Sequence, residues 1–381
     1  MKRLLFIIIM LLILLNIGSN KKKNVDKEFR GIYISYIEIN KYLKDTNIND
    51  SKNNINNMIN NVKSLNCNVI VLQVRPSCDA IYYSKIFPIS KYLSSNGSYP
   101  YDVLKYFIKV SHNNGIKVYA WINPYRVSTT SDIDSISEFN PAYRFINTDT
   151  LYINNGIYFN PSKRDVEDII VDGVSEVLKY DIDGVLFDDY FYPSNDIDLN
   201  DYNEYIKNNN YISLGEYHLN IVNRMIKRVH SICKEKNVSF GVSPDGNIEN
   251  NYNKNYVDVK RWLSSDKYVD FIMPQLYYGF NNSSKPYIDT INEWKSLIKN
   301  KDIDFYIALA FYKVGEIDNY AKEGKYEWIE NNNIIMKEIV YSRNIDYYKG
   351  FCLYRYDNIF DQDIFKETSK EEIKNVKDVL N

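Results

Sequence analysis

A chain of 381 residues that is 45% hydrophobic and 25% charged describes a foldable globular protein and excludes a disordered one. Its formal net charge of −2 supplies no global attraction to nucleic acid or to anionic lipid, so no nucleic-acid partner is expected. The 36 tyrosines accompany heavy use of Asn, Ile and Lys, all with AT-rich codons, so one tyrosine alone says little about a site.

The chain starts with Lys2-Arg3 and the apolar run LLFIIIMLLILL. That run is about a dozen residues, short of the ~20 that span a bilayer and suited to a signal-peptide core. Gly18-Ser19 offers small residues for cleavage, although Ile17 fits the −3 position poorly, and three lysines follow. No cysteine lies near the run, which excludes a lipoprotein anchor. Residues 1–27 are therefore expected to be a signal peptide or a retained N-terminal membrane anchor with a short basic linker. The protein is then secreted, or anchored on the outer side of the membrane.

From residue 28 onward strands and helices alternate. FRGIYISY (29–36) reads as a first strand, and 50–65 as a helix with Ile55, Met58, Ile59 and Val62 at i, i+3, i+4 and i+7. The strand NVIVLQV (68–74) is followed by a helix over 101–114 that stops at Gly115. IKVYAWIN (116–123) is a third strand, and an irregular stretch, 127–159, leads to a helix at 164–180. IDGVLFDDYFYP (182–193) is the fourth strand, an apolar run that ends in two carboxylates and three rings. Helices at 215–236, 256–265, 286–299, 329–344 and 362–379 alternate with strands at 238–244, 268–275, 304–311 and 349–355.

Eight such units, with no internal linker, predict a single α/β domain over 28–381 that closes as a (β/α)8 TIM barrel. A doubly wound sheet would place a Gly-rich phosphate turn after its first strand, and none is present. His112, His218 and His230 all fall in helical segments, which argues against a His-rich metal site or a Ser-His-Asp triad at the strand ends. No metal and no cofactor are expected. The four cysteines lack CxxC spacing and read as packed thiols.

In a parallel barrel the chemistry gathers where strands end. Gln73, Arg75 and Asp79 follow the second strand, and Trp121, Asn123, Tyr125 and Arg126 close the third. Asp188, Asp189, Tyr190 and Tyr192 follow the fourth. Ser243 and Asp245 end the fifth, Gln275, Tyr277 and Tyr278 the sixth, and Asp357 the eighth. Acids beside rings suit carbohydrate, because carboxyl groups act on the glycosidic oxygen and rings stack on sugars. Alternation places Leu186, Asp188 and Tyr190 on one face, with Val185 and Phe187 facing the helices. Asp188 is thus the expected inward catalytic group. Asp189 would orient its neighbours, and Asp79, Asp245 and Asp357 are candidates for the second carboxyl group. Gln73, Arg75, Trp121, Asn123, Arg126, Tyr190, Tyr192, Gln275 and Tyr277 are candidate substrate contacts.

The blocks EFRGIYIS, LQVRPSCDAIYYSKIFP, GIKVYAWINPYR, FNPSKRDVEDII, DGVLFDDYFYP, FGVSPDG and VDFIMPQLYY occur in this order. Together they resemble the bacterial glycosyl hydrolase-like family 10, over residues 28–360. The resemblance implies a TIM barrel, an exported protein and hydrolysis of glycosidic bonds. For one branch it implies cleavage of peptidoglycan strands stripped of stem peptides. By position, the family's rim residues fall on Arg30, Gln73, Arg75, Asp79, Asn123, Arg126, Asp188, Asp189, Tyr190, Pro274, Gln275 and Tyr277. Asp245 stands where the family pattern has an aromatic, so it inherits no role. DGVLFDDY also resembles the chitinase-type signature, but Tyr190 replaces its terminal Glu acid. The expected activity is that of a monomeric glycoside hydrolase acting on cell-wall polysaccharide. The alternative is a glycan-binding barrel without turnover.

Overall fold

The computed structural model describes residues 28–188, 191–361, 363–364 and 366–381. The expected signal or anchor segment lies outside them. The eight apolar runs form strands β1 (Phe29–Ile34), β2 (Val69–Arg75), β3 (Lys117–Ile122) and β4 (Gly184–Phe187), then β5 (Ser239–Val242), β6 (Phe271–Ile272), β7 (Asp304–Leu309) and β8 (Tyr348–Leu353). Each pairs in parallel with the next, and β8 returns to β1 with Phe29 opposite Gly350 and Ile32 opposite Leu353. The sheet is a closed (β/α)8 barrel.

Alternation along each strand divides the core in two. Ile70, Leu72 and Val74 of β2 face the helices, while Val69 and Val71 face the barrel axis. Near the strand starts the axis is filled by four rings from Phe29, Tyr119, Phe271 and Tyr306. Phe29 stacks on Tyr306 with centroids 4.3 Å apart and meets Tyr119 edge-on at 5.2 Å. Such a layer needs empty space on neighbouring strands. A β-carbon on Gly184 would sit 2.3 Å from the Tyr119 ring, and one on Gly241 2.4 Å from the Phe271 ring.

The long outer helices follow the expected periodicity, whereas 256–265 holds only the four-residue helix Val259–Trp262 and the expected helix 329–344 is divided into Glu327–Glu330 and Ile334–Ser342. The helix Ile48–Ser64 is capped by Asn47 and buries Ile55, Met58, Ile59 and Val62. The structure also holds helices at Tyr36–Tyr42 and Leu199–Asn208 that the apolar pattern did not announce. The first depends on local chemistry: Ser35 and Glu38 form a reciprocal capping box. The stretch expected to be irregular, 127–159, together with Arg126, forms a three-stranded antiparallel sheet of Arg126–Ser128, Leu151–Ile153 and Ile157–Phe159. Strands of three residues are too short to show a period of two. β6 is shorter than expected because Pro274, which has no N–H, interrupts the ladder. All four cysteines are buried thiols.

The last helices carry buried acids. Glu372, in the helix Glu367–Leu380, accepts the N–H groups of Ile334 (2.8 Å) and Met336 (2.9 Å) at the start of the helix Ile334–Ser342. Burial raises its pKa to about 7. Glu338 is fully buried nearby and is pushed well above the carboxylate range by burial and by the Glu372 charge.

Two outcomes follow. Gly241→Ala should overpack the ring layer and cost about 1–3 kcal/mol in a denaturant titration. Because the folded Glu372 titrates near 7 and the unfolded group near 4.5, folding takes up protons between those values. Stability should therefore fall as pH rises from 4.5 to 7, and Glu372→Gln should flatten that slope in melting curves taken across the window.

Candidate active site

Asp188 follows β4 directly. Leu186 packs inside the barrel while Val185 and Phe187 pack against the helix layer, so Asp188 continues the inward face. It is 4% exposed and lies in a cleft of about 170 Å³ at the C-terminal end of the strands. Trp121 of β3 donates its Nε1–H to Asp188 Oδ2 at 3.1 Å, and the Asn123 amide donates to the same oxygen. The Asn123 Oδ1 accepts from Gln73 Nε2 at 2.5 Å, and the Gln73 Oε1 accepts the Tyr36 N–H at 3.0 Å. Each amide has one workable orientation, because the donor end of one meets the acceptor end of the next. A chain of hydrogen bonds from the start of the helix Tyr36–Tyr42, through Gln73 of β2 and Asn123 just after β3, thus sets the angle of the Asp188 carboxylate.

Rings form the walls. Tyr33 and Trp121 meet edge-on at 5.5 Å, Tyr354 lies 5.5 Å from Tyr33, and Tyr277 and Tyr312 each lie within 6 Å of Tyr354 or of each other. The Tyr33 hydroxyl donates to Ser243 Oγ at 3.1 Å. Burial, with the Asp188 charge adding to it, holds that phenol protonated well beyond its ordinary range. Gln275 lines the cleft and donates to the Ser243 carbonyl at 3.0 Å. Among the described lining residues Asp188 is the sole carboxylate. An oriented acid under aromatic walls can exchange a proton or bond with a sugar held against the rings.

Of the residues singled out from sequence, Gln73, Trp121, Asn123, Asp188, Gln275 and Tyr277 are brought together here, with Ser243 beside them. Others go elsewhere. The β2 register shifts between Gln73 and Arg75, a bulge that turns Arg75 out of the barrel. Its guanidinium lies 3.7 Å from the Phe87 ring and packs on Gly173 of the helix Arg164–Val177. Asp79 is buried and accepts from Ser90 Oγ at 2.8 Å, and burial raises its pKa. Asp245 accepts the Asn247 N–H at 2.8 Å and the Asn250 amide at 2.9 Å, which caps a turn. Asp357 lies beside Arg355 at 3.4 Å. Tyr192 donates to Asp198 at 3.0 Å inside a buried cluster with His218. Arg126 opens the small antiparallel sheet, half-buried. Arg30 binds Glu28 at 3.0 Å and the Leu380 carbonyl at 2.8 Å, next to the chain terminus. Asp189 and Tyr190 lie outside the described residues.

Three wall residues escaped the reading of the sequence: Tyr33, Tyr312 and Tyr354. Tyr33 and Tyr354 were open to the alternation argument used for β4, because they share faces with Phe29 and Cys352 of the inner cluster. Tyr312 sits in a single turn of helix after β7 and has no comparable signal.

Comparison with known proteins bears on the family and the fold. Residues 28–327 match the family model described as Glycosyl hydrolase-like 10. Glycosyl hydrolase YngK of Bacillus subtilis (strain 168) is 28% identical over 353 residues, which cover 85% of this chain and 67% of that protein. Glycosyl hydrolase DigH of Escherichia coli (strain K12) is 32% identical over 324 residues, covering 77% and 73%. The glycoside hydrolase domain of PgaB (BpsB) from Bordetella bronchiseptica superposes with a TM-score of 0.59 at 14% identity, over 93% of this chain and 99% of that one. An endo-1,4-beta-mannanase from Rhizomucor miehei gives 0.55 at 13% identity, over 95% and 96%. These two likenesses concern the barrel fold. The family model covers most of the chain, and the protein belongs to the Glycosyl hydrolase-like 10 family.

Proposed function

We propose that the protein is a glycoside hydrolase of the cell envelope that cleaves amino-sugar glycan, with Asp188 as its catalytic carboxylate. The observation that carries this reading is the buried Asp188, oriented by Trp121 and Asn123 beneath a wall of tyrosines. Glycosidic cleavage passes through an oxocarbenium-like state, which a fixed carboxylate stabilises or whose leaving oxygen it protonates. The relatives named glycosyl hydrolases support hydrolysis as the reaction. Peptide-stripped peptidoglycan is the substrate suggested by the basic, apolar start of the chain and by the family resemblance.

A glycan-binding barrel without turnover is the second reading, favoured by the single carboxylate among the described wall residues. Purified full chain incubated with intact and peptide-stripped peptidoglycan separates the two, with new reducing ends followed by mass spectrometry. Release from stripped strands should fall by about 10²–10⁴-fold in Asp188→Asn while glycan binding persists. Binding without new ends in the parent protein would leave only the second reading. Asn123→Ala removes one donor and the amide relay from Asp188, and misorientation of this kind costs about 10²-fold in kcat. KM should change little in that variant, which steady-state kinetics on stripped strands would show.

A further inference from the structure

A second hollow, of about 200 Å³, opens on the outer flank between the elements that follow β1 and β8, and it shares no residue with the cleft. Three helices wall it: Tyr36–Tyr42, Ile48–Ser64 and the short Tyr356–Phe360. Tyr42 and Tyr356 meet edge-on with centroids 6.2 Å apart, and Phe360 packs on Tyr356 at 4.9 Å. Asn54, Asn57 and Asn61, three and four residues apart, present one face of the long helix to these rings.

The polar groups are arranged rather than scattered. The Asn54 amide donates to the Tyr42 carbonyl at 2.7 Å, and the Asn61 amide donates to the Tyr356 hydroxyl at 2.7 Å. Each interaction fixes an amide plane and leaves its Oδ1 without a protein partner among the described residues. Asn57 is exposed on the same face. Asp361 completes the wall as an ion pair with Lys41, so the charges here cancel.

This chemistry discriminates among ligands. With its charges paired, the hollow offers little to an anion or a cation, and three amides make it a poor seat for an apolar ligand. A pyranose suits this chemistry: its C–H face would rest on the half-buried rings of Tyr42 and Phe360, and its hydroxyl and acetamido groups would pair with amides of fixed orientation. We propose that this hollow is a second carbohydrate-binding site that holds one uncharged pyranose unit, such as an N-acetylhexosamine, of the polymer acted on in the cleft. The identity of that polymer rests on the function proposed above. Tyr354 of the cleft and Tyr356 of the hollow are two residues apart, and buried Glu38 joins their corner to the first helix by accepting from Arg355 and from the Asp357 N–H. The hollow and the cleft are thus joined by one short, hydrogen-bonded segment of chain.

Calorimetric titration of the full chain carrying Asp188→Asn with chitohexaose, an uncharged β-1,4-linked N-acetylglucosamine oligomer, tests this. The parent should show two binding events. Adding Asn57→Arg, which fills the hollow from an exposed position, should abolish one. Asn57→Ala should weaken that event by about tenfold without bulk, and it keeps the test valid if the arginine disturbs the helix. Two events unchanged by both substitutions, or no binding by the parent, would overturn the proposal. If the wild-type chain cleaves no wall glycan yet Asn57→Arg still removes one event, the catalytic reading fails and the second site stands.

Discussion

Closing eight parallel strands into one barrel forces every second side chain toward a narrow axis, and the rest of this molecule depends on that constraint. The axis has room for one layer of large rings near the strand starts. Phe29, Tyr119, Phe271 and Tyr306 take it only because Gly184 and Gly241 yield space beside them. Further along the strands the same inward faces pass from apolar to polar. Leu186 gives way to Asp188, Gly241 to Ser243 and Met273 to Gln275, each two residues on. The site is the continuation of the core by one more turn of the alternation.

That continuity explains how much of the site was legible in the sequence. The barrel could be read from eight alternating units, and the inward direction of Asp188 from Val185 and Phe187 beside it. Gln73, Asn123 and Gln275 were found as polar residues placed where strands end. What alternation could not supply was the bulge in β2. Gln73 and Arg75 lie two apart and by simple parity share a face, yet the shifted register sends Arg75 against Phe87 and the helix layer. Asp79 and Asp245 have surroundings that periodicity does not predict: each acid finds local partners, here Ser90 and the 247–250 turn. Tyr33 and Tyr354 needed the parity argument carried to β1 and β8.

The amide chain from Tyr36 through Gln73 and Asn123 to Asp188 shows how the geometry of the cleft is distributed over the fold. None of the three linking groups carries a charge. Their contribution is direction: each fixes which end of the next amide faces which way, so the carboxylate meets N–H donors rather than carbonyl oxygens. Support of this kind is anchored at the ends of strands and at a helix start, and it holds the carboxylate at a set angle before any ligand arrives.

The four-ring layer has a consequence for traffic. It closes the barrel below the cleft, so the cleft is a blind chamber with one door rather than a tunnel. Whatever enters past Tyr277, Tyr312 and Tyr354 must leave the same way. A long molecule cannot be threaded along the axis; it has to be laid across the opening with both of its ends outside.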